Sequence, residues 1–329
     1  MQPALRAPGA TGQMRAVSQD HGGGPEVLHL IQVARPAPGP TEVLVRVHAA
    51  GVNPTDWKTR ARGRFLVGVS PPFTLGYDVS GVVAELGDGV TTLAVGDEVF
   101  GMPRFPHPAG AYADYIVAPS RHFARKPLTM DHLHAGGLPL AGLTAWQALV
   151  DTAGVSAGQR VLVHAAAGGV GHLAIQIAKA RGAYVYGTAT AAKHNLLRSL
   201  GVDEPIDYTT TDFAHVATAL DAVLDPIGGT TTLRSLAALR DGGTLITLPP
   251  LDTQTSARLR GEYRVTAARM LVEPDRAGLQ ALGSLVDAGA LRVKLDTVLP
   301  LTRVREAHIR GESGRASGKI VLSVASDDG

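Results

Sequence analysis

Residues 160–181 read RVLVHAAAGGVGHLAIQIAKAR, and no other stretch restricts the fold as tightly. Arg160 to His164 is an apolar run of strand length, and Gly171 to Arg181 repeats its apolar residues at helical spacing. Between them stands Ala166-Ala167-Gly168-Gly169-Val170-Gly171, a G-x-G-x-x-G pattern with alanine in the first glycine position. A strand that turns into a helix through such residues suits a dinucleotide. Gly168 lets the backbone approach the pyrophosphate, and Gly171 lets the helix lie close on the strand. The helix N-terminus then meets the phosphates with free N–H groups and the positive end of its dipole. Ala167, Gly168, Gly169, Val170 and Gly171 are the expected binding backbone. The competing reading is a structural turn, because the chain carries 39 glycines. The strand before the cluster and the helix after it argue against that reading.

The pattern continues in both directions. A helix is expected over Ala141–Thr152. Downstream come a strand at Ala183–Gly187, a helix at Lys193–Leu200, a strand at Ile206–Tyr208 and a helix at Phe213–Ala219. A strand at Asp221–Asp225, a helix over 230–239 and a strand at Gly243–Leu248 complete the run. Strands alternating with helices at this spacing imply a parallel doubly wound sheet. The front of the chain reads as mostly β, with strands at Glu42–Val47, Asp78–Val83, Asp97–Phe100 and Tyr112–Val117. After residue 272 come a helix near Asp275–Ala288, a strand-like VKLDTV and a strand at Lys319–Val324. Residues 1–13 read as a flexible leader, with no apolar core of a signal peptide.

A chain of 329 residues implies two domains. Hydrophobic residues make up 45% and charged residues 18%, which is ordinary for a globular protein and not for a disordered one. The absence of cysteine excludes disulfides, iron–sulfur clusters and thiolate zinc sites. A net charge of +2 gives no ground for nucleic acid as a partner. No run of 18 uninterrupted apolar residues suggests a membrane span, and a cytoplasmic protein is expected.

The end of the second α/β strand bears on which dinucleotide binds. An NAD site places an acid there for the ribose 2′-OH. This chain has Thr188 and Thr190, then Lys193, His194 and Arg198, and the next acid in order is Asp203. A hydroxyl beside cations suits a 2′-phosphate, so NADPH is the expected cofactor, with Thr190 and Lys193 as its contacts. The competing reading is a solvated basic helix face.

The segments GPEVLHL, EVLVRVHAAGVNPTDWK, GYDVSGVV, VGDEVFG, GLTAWQAL, HAAAGGVGHLAIQIAKARG, GVDEPIDY, DAVLDPIGG and GKIVLSV follow one another in order. Together they resemble the medium-chain dehydrogenase/reductase superfamily, and within it the zinc-independent quinone oxidoreductases and related enoyl reductases. The resemblance implies an α/β fold in which a Rossmann doubly wound parallel sheet is inserted into a GroES-like, mostly-β catalytic domain. The implied boundaries are 14–136 with 273–329 for the GroES-like domain and 137–272 for the Rossmann domain. A homodimer is implied as well.

The resemblance also assigns individual residues. Asn53 and Asp56 stand in an NPTD segment that lies by the nicotinamide in similar proteins. Tyr77 and Asp78 stand where zinc-dependent relatives carry a His-Glu pair. Thr144, Tyr208, Pro249 and Lys319 match positions near the cofactor. Four of them have a plainer reading. Asn53 and Asp56 could cap a turn or helix, Tyr77 could be a packing residue, and Lys319 a surface charge. His132 and His134 form an HxH pair without a persuasive third ligand, which is weak metal evidence. One departure stands out. Similar enzymes often carry a tyrosine two residues after a glycine in the segment following NPxD, and here that stretch is Gly63-Arg64-Phe65. Phe65 is expected to line the acceptor pocket without supplying a proton.

These residues imply NADPH-dependent hydride transfer to a small electrophilic molecule, a quinone or an α,β-unsaturated carbonyl compound. Two alternatives stand beside it: a specialised biosynthetic reductase of a bulky intermediate, and a non-catalytic NADPH-binding structural or regulatory protein.

Overall fold

The structure, a computed structural model, describes residues 12–324. Residues 1–11 of the expected leader lie outside them. The chain divides into two compact units. One comprises residues up to Leu140 with Pro274–Gln280 and the chain from Leu295 onward, and the other comprises Ala141–Glu273 with Ala281–Lys294.

The elements run in this order. The front of the chain forms β1 (Gln13–Gln19), β2 (His29–Ala34), β3 (Glu42–Val52), helix α1 (Pro54–Arg62), β4 (Phe73–Thr74), β5 (Val79–Leu86), β6 (Glu98–Gly101), β7 (Tyr115–Pro119), β8 (Phe123–Arg125), α2 (His132–Gly137) and α3 (Pro139–Trp146). The middle forms β9 (Arg160–Val163), α4 (Gly171–Ala180), β10 (Tyr184–Ala189), α5 (His194–Ser199), β11 (Glu204–Asp207), α6 (Phe213–Val216), β12 (Leu220–Asp225), α7 (Thr230–Ala238), β13 (Leu239–Thr247), α8 (Thr253–Gly261) and β14 (Thr266–Arg269). The last part forms α9 (Arg276–Asp287), β15 (Leu295–Pro300), α10 (Val304–Glu312) and β16 (Lys319–Ser323).

The first unit is built on antiparallel pairing. Strands order as β2-β1-β4 in one sheet and β15-β16-β3-β5-β6-β8 in the other, with β7 also on β3. The last strand enters beside the front strands, since Ile320 pairs with Val52 and Ser323 with Ala49. That pairing settles which sheet Lys319–Ser323 joins, a point on which periodicity alone is silent. Strand β3 is long and largely buried because β5 lies along one side and β7 followed by β16 along the other.

Asn53 caps α1, Pro54 opens it, and Asp56 at its third position accepts a hydrogen bond from Asn53 N at 2.8 Å. The Asn53 side chain also donates from Nδ2 to Asp78 Oδ2. At the far end of α1, Arg60 is 2% exposed and donates to Glu312 of α10 at 2.6 Å.

The second unit holds six strands in the order β11-β10-β9-β12-β13-β14, each neighbouring pair parallel. Counted from β9 this is 3-2-1-4-5-6, the doubly wound order of a dinucleotide-binding sheet. Its central strands β9, β10 and β12 are buried over most of their length, as a parallel sheet covered by helices requires. Leu162, Tyr186, Ile206, Phe213, Val223, Leu236 and Leu245 form one buried cluster. Residues 171–178 of α4 are all buried. The expected helix over Ala141–Thr152 is α3 continued by a π-helix at Gln147–Thr152. Among the described residues no helix is long and apolar enough to cross a membrane.

Candidate functional site

In the second unit, the turn between β9 and α4 is tight. Ala165 takes a left-handed φ of 46°, and Gly168 N donates back to Ala165 O at 2.8 Å. A Cβ on Gly171 would lie 2.7 Å from Ala166 Cα, so only glycine lets α4 begin this close to the strand. Ala167 and Gly171 are buried, whereas Gly168, Gly169 and Val170 are half-buried. No side chain caps α4 at Val170, which leaves N–H groups at the helix opening for an anion. These features fit the pyrophosphate of a dinucleotide.

The edge at the end of β10 gathers several residues. Tyr208 N donates to Ala189 O, Thr190 caps the short turn Ala191–Lys193, and α5 follows. Tyr208 is exposed, and Thr190 and Lys193 are half-buried. Thr188 does not join them. It is 1% exposed, and its hydroxyl donates to His164 Nδ1 at 3.1 Å. His164 Nε2 in turn donates to Ser235 Oγ at 2.9 Å, and burial lowers the ring to a pKa of about 4, so the imidazole is neutral. Asp203, the next acid in chain order, is occupied: it pairs with Lys179 at 2.8 Å and accepts from Val185 N. The acid that does reach this edge is Asp207 on β11, opposite Ala189. It accepts from Thr209 N and Thr209 Oγ1 at 3.0 and 2.7 Å. Reading along one strand misses it; parallel pairing of the next strand reveals it.

Two further cofactor candidates lie in the same unit. Thr144 is buried on α3, and Pro249 follows β13, its carbonyl accepting from Thr247 Oγ1 at 3.0 Å. Asp225, unmarked by the sequence reading, is fully buried at the end of β12. It accepts from Ile227 N at 2.8 Å, Gly228 N at 3.1 Å and Thr232 Oγ1 at 2.5 Å, and so shapes the loop after β12.

In the first unit, Asn53, Asp56, Asp78, Tyr112 and Lys319 form a buried polar cluster. Asn53 Nδ2 donates to Asp78 Oδ2 at 2.8 Å. Lys319 Nζ donates to Asn53 Oδ1 and, at 3.2 Å, to Asp78 Oδ2. Asp78 Oδ1 accepts from Leu140 N at 2.6 Å. Tyr112 donates to Asp56 Oδ2 at 3.0 Å, whereas Asp56 Oδ1 is buried with no hydrogen-bond partner among the described residues. Burial first, then the Asp78 charge, raises the Asp56 pKa to about 7. Gly51 makes room for this cluster, since a Cβ there would lie 2.5 Å from Asp78 Oδ2 and 2.6 Å from Gly136 O. Lys319 is therefore no surface charge: it is 3% exposed.

Tyr77 and Phe65 belong to an aromatic group. Phe65 packs edge-on against Phe73 and Tyr77, with centroids 4.5 and 6.1 Å apart, and Tyr77 lies 4.9 Å from Phe105. Both are buried. The Tyr77 hydroxyl donates to Pro106 O over 3.4 Å, and burial pushes its pKa well above the ordinary tyrosine range. Of the HxH pair, His132 bonds Ser80 and Glu98, while His134 bonds Asp131 at the cap of α2. Among the described residues, no group of three or more His, Asp or Glu side chains is arranged to hold a metal ion.

The 3-2-1-4-5-6 parallel sheet with its glycine turn defines a dinucleotide-binding protein of the Rossmann class. Comparison with known proteins narrows the class. Residues 39–128 match the alcohol dehydrogenase GroES-like domain, and residues 200–322 match the zinc-binding dehydrogenase family model. The chain is 34% identical to an NADPH-dependent alkenal/one oxidoreductase, chloroplastic, of Arabidopsis thaliana, over 94% of this chain and 79% of that one. The solved quinone oxidoreductase of Coxiella burnetii superposes with a TM-score of 0.88 at 37% identity, covering 95% of this chain and 100% of that one. A mycobacterial protein solved in complex with NADPH gives a TM-score of 0.83 at 32% identity, covering 94% and 100%. The chain belongs to the zinc-independent medium-chain dehydrogenase/reductase family.

Proposed function

We propose that this protein transfers hydride from NADPH to an α,β-unsaturated carbonyl compound or a quinone. The observation that carries the reading is the uncapped, glycine-opened N-terminus of α4, beside an edge that bears Thr190 and Lys193. Among the described residues no hydrogen bond or ion pair occupies the Lys193 ammonium, which leaves it for a 2′-phosphate. Thr144, Ala167, Gly168, Gly169, Val170, Gly171, Thr190, Lys193, Tyr208 and Pro249 are the proposed cofactor contacts, and residues 137–272 the proposed cofactor domain. Residues 14–136 with 273–329 are the proposed catalytic domain.

The bound cofactor supplies a hydride equivalent. With an enone, hydride reaches the β-carbon and negative charge develops on the carbonyl oxygen. The chain's task is to align the acceptor and stabilise that charge. Asn53 is suited to the second task, because one of its two amide hydrogens is committed to Asp78 and the other remains for an acceptor oxygen. Phe65 contributes an apolar wall. Tyr77 is a poor acid, so the enolate takes its proton at the α-carbon from water.

Within the same proposal the protein is a cytoplasmic homodimer, to be tested by fractionation and sedimentation. The activity is tested by NADPH oxidation against a panel of small enones and quinones. Steady turnover with at least one supports the reading. No turnover across the panel overturns it and favours a binding-only protein.

A further inference from the structure

We propose that Asp78 and Lys319 are positioning residues that hold the Asn53 side-chain amide in one of its two orientations. The inference rests on the role given to Asn53 under Proposed function. Three chain segments bring the groups together: Asn53 follows β3, Asp78 precedes β5, and Lys319 opens β16. All three are almost fully buried.

A primary amide can rotate by half a turn and exchange its oxygen for its nitrogen. Its neighbours decide which way it stands. An ammonium only donates and a carboxylate only accepts. Lys319 Nζ donates to Asn53 Oδ1, and Asp78 Oδ2 accepts from Asn53 Nδ2 at 2.8 Å. The reverse orientation would set Nδ2 against the ammonium and Oδ1 against the carboxylate, and both contacts would be repulsive. Leu140 N, donating to Asp78 Oδ1 at 2.6 Å, keeps the carboxylate from turning. The second Nδ2 hydrogen therefore keeps one direction, which is what a donor to developing oxyanion charge needs before the substrate arrives.

Stability offers a weaker reason for the pair. Two buried charges lose their hydration, and uncharged residues of similar volume often hold a core as well. Direct contact of Lys319 with the cofactor, implied by the family resemblance, is the competing role. Its ammonium already spends two of three donors within this cluster.

The test compares Lys319→Gln with Lys319→Arg in the full chain, using an enone that the wild type reduces. Glutamine offers both a donor and an acceptor, so it permits either amide orientation; arginine remains donor-only. The expected result is a fall in kcat of about tenfold or more for Lys319→Gln. Its NADPH dissociation constant should stay within about twofold of wild type, and Lys319→Arg, still donor-only, should keep clearly more turnover than Lys319→Gln. Should Lys319→Gln fail to fold, Asp78→Asn combined with Lys319→Met removes both charges and carries the same expectation. Unchanged kcat in the glutamine variant overturns the proposal. So does equal loss in both variants, or a markedly weakened affinity for NADPH, which would make Lys319 a cofactor ligand. A wild type that reduces nothing overturns the functional reading itself, and the proposal with it.

Discussion

Asp207 stands opposite Ala189 in the parallel register of β10 and β11, so a carboxylate borne by the third strand reaches the edge where the second one ends. Thr209 donates to it twice, and these bonds, with Ala191 N and His194 nearby, hold its pKa below the usual carboxylate value. An anion sits where a 2′-phosphate is expected, together with Thr190 and Lys193. The two influences oppose each other. Lys193→Ala is expected to weaken NADPH binding by roughly 1–3 kcal/mol and leave NADH nearly unchanged. Asp207→Asn is expected to shift preference further toward NADPH, by removing repulsion from the phosphate and an acceptor for the 2′-OH. Titrating both nucleotides against both variants checks this. Unaltered NADPH affinity in Lys193→Ala would remove Lys193 from the site.

Asp56 gives a pH dependence with a definite sign. Its folded pKa, about 7, lies above the ordinary value of 3.8. The folded state therefore binds this proton more tightly than the unfolded chain does. The resulting stabilisation is complete below about pH 4 and is lost as pH rises through 7. Asp56→Asn keeps an acceptor for Asn53 N and Tyr112 and does not titrate. It should gain stability over wild type between about pH 5 and 8, by up to roughly 4 kcal/mol at about 1.4 kcal/mol per unit. Half-buried His48 and buried His164, both lowered to about 4, add an acid-side dependence common to the two proteins, which cancels in the comparison. Melting temperatures across this range check it, and parallel curves for the two proteins would contradict it.

Tyr77→Phe should reduce an enone at close to the wild-type rate. The hydroxyl donates only to Pro106 O over a long 3.4 Å, and burial makes it a weaker acid than free tyrosine. Removing so long a bond should cost no more than about 1 kcal/mol of stability. A fall in kcat of about 100-fold, the scale of a lost transition-state donor, would make Tyr77 the proton or hydrogen-bond source.

Features set by neighbouring residues were readable before the fold was known. The turn at 166–171 is legible because strand, glycines and helix adjoin in the chain. The alternation that follows gives the parallel sheet for the same reason. What stayed hidden depends on pairing between distant segments. Lys319, matched by resemblance to a position near the cofactor and otherwise read as a surface charge, has its partners Asn53 and Asp78 266 and 241 residues away. Thr188 reads as a phosphate ligand until His164 from the adjoining strand takes its hydroxyl. Strand β13 begins at Leu239 rather than Gly243: Leu239 pairs with Leu220, and the register shifts before Thr244 pairs with Ala222.

The most direct measurement follows one hydrogen. NADPH carrying deuterium at the transferable position of its nicotinamide is incubated with the enzyme and a small enone in ordinary water. The product is then read by NMR and mass spectrometry. The expected product carries one deuterium at the β-carbon and a proton from water at the α-carbon; repeating the reaction with unlabelled NADPH in D₂O should move the label to the α-carbon. Product without deuterium at the β-carbon, or no product with any enone or quinone, would contradict hydride transfer as the function of this chain.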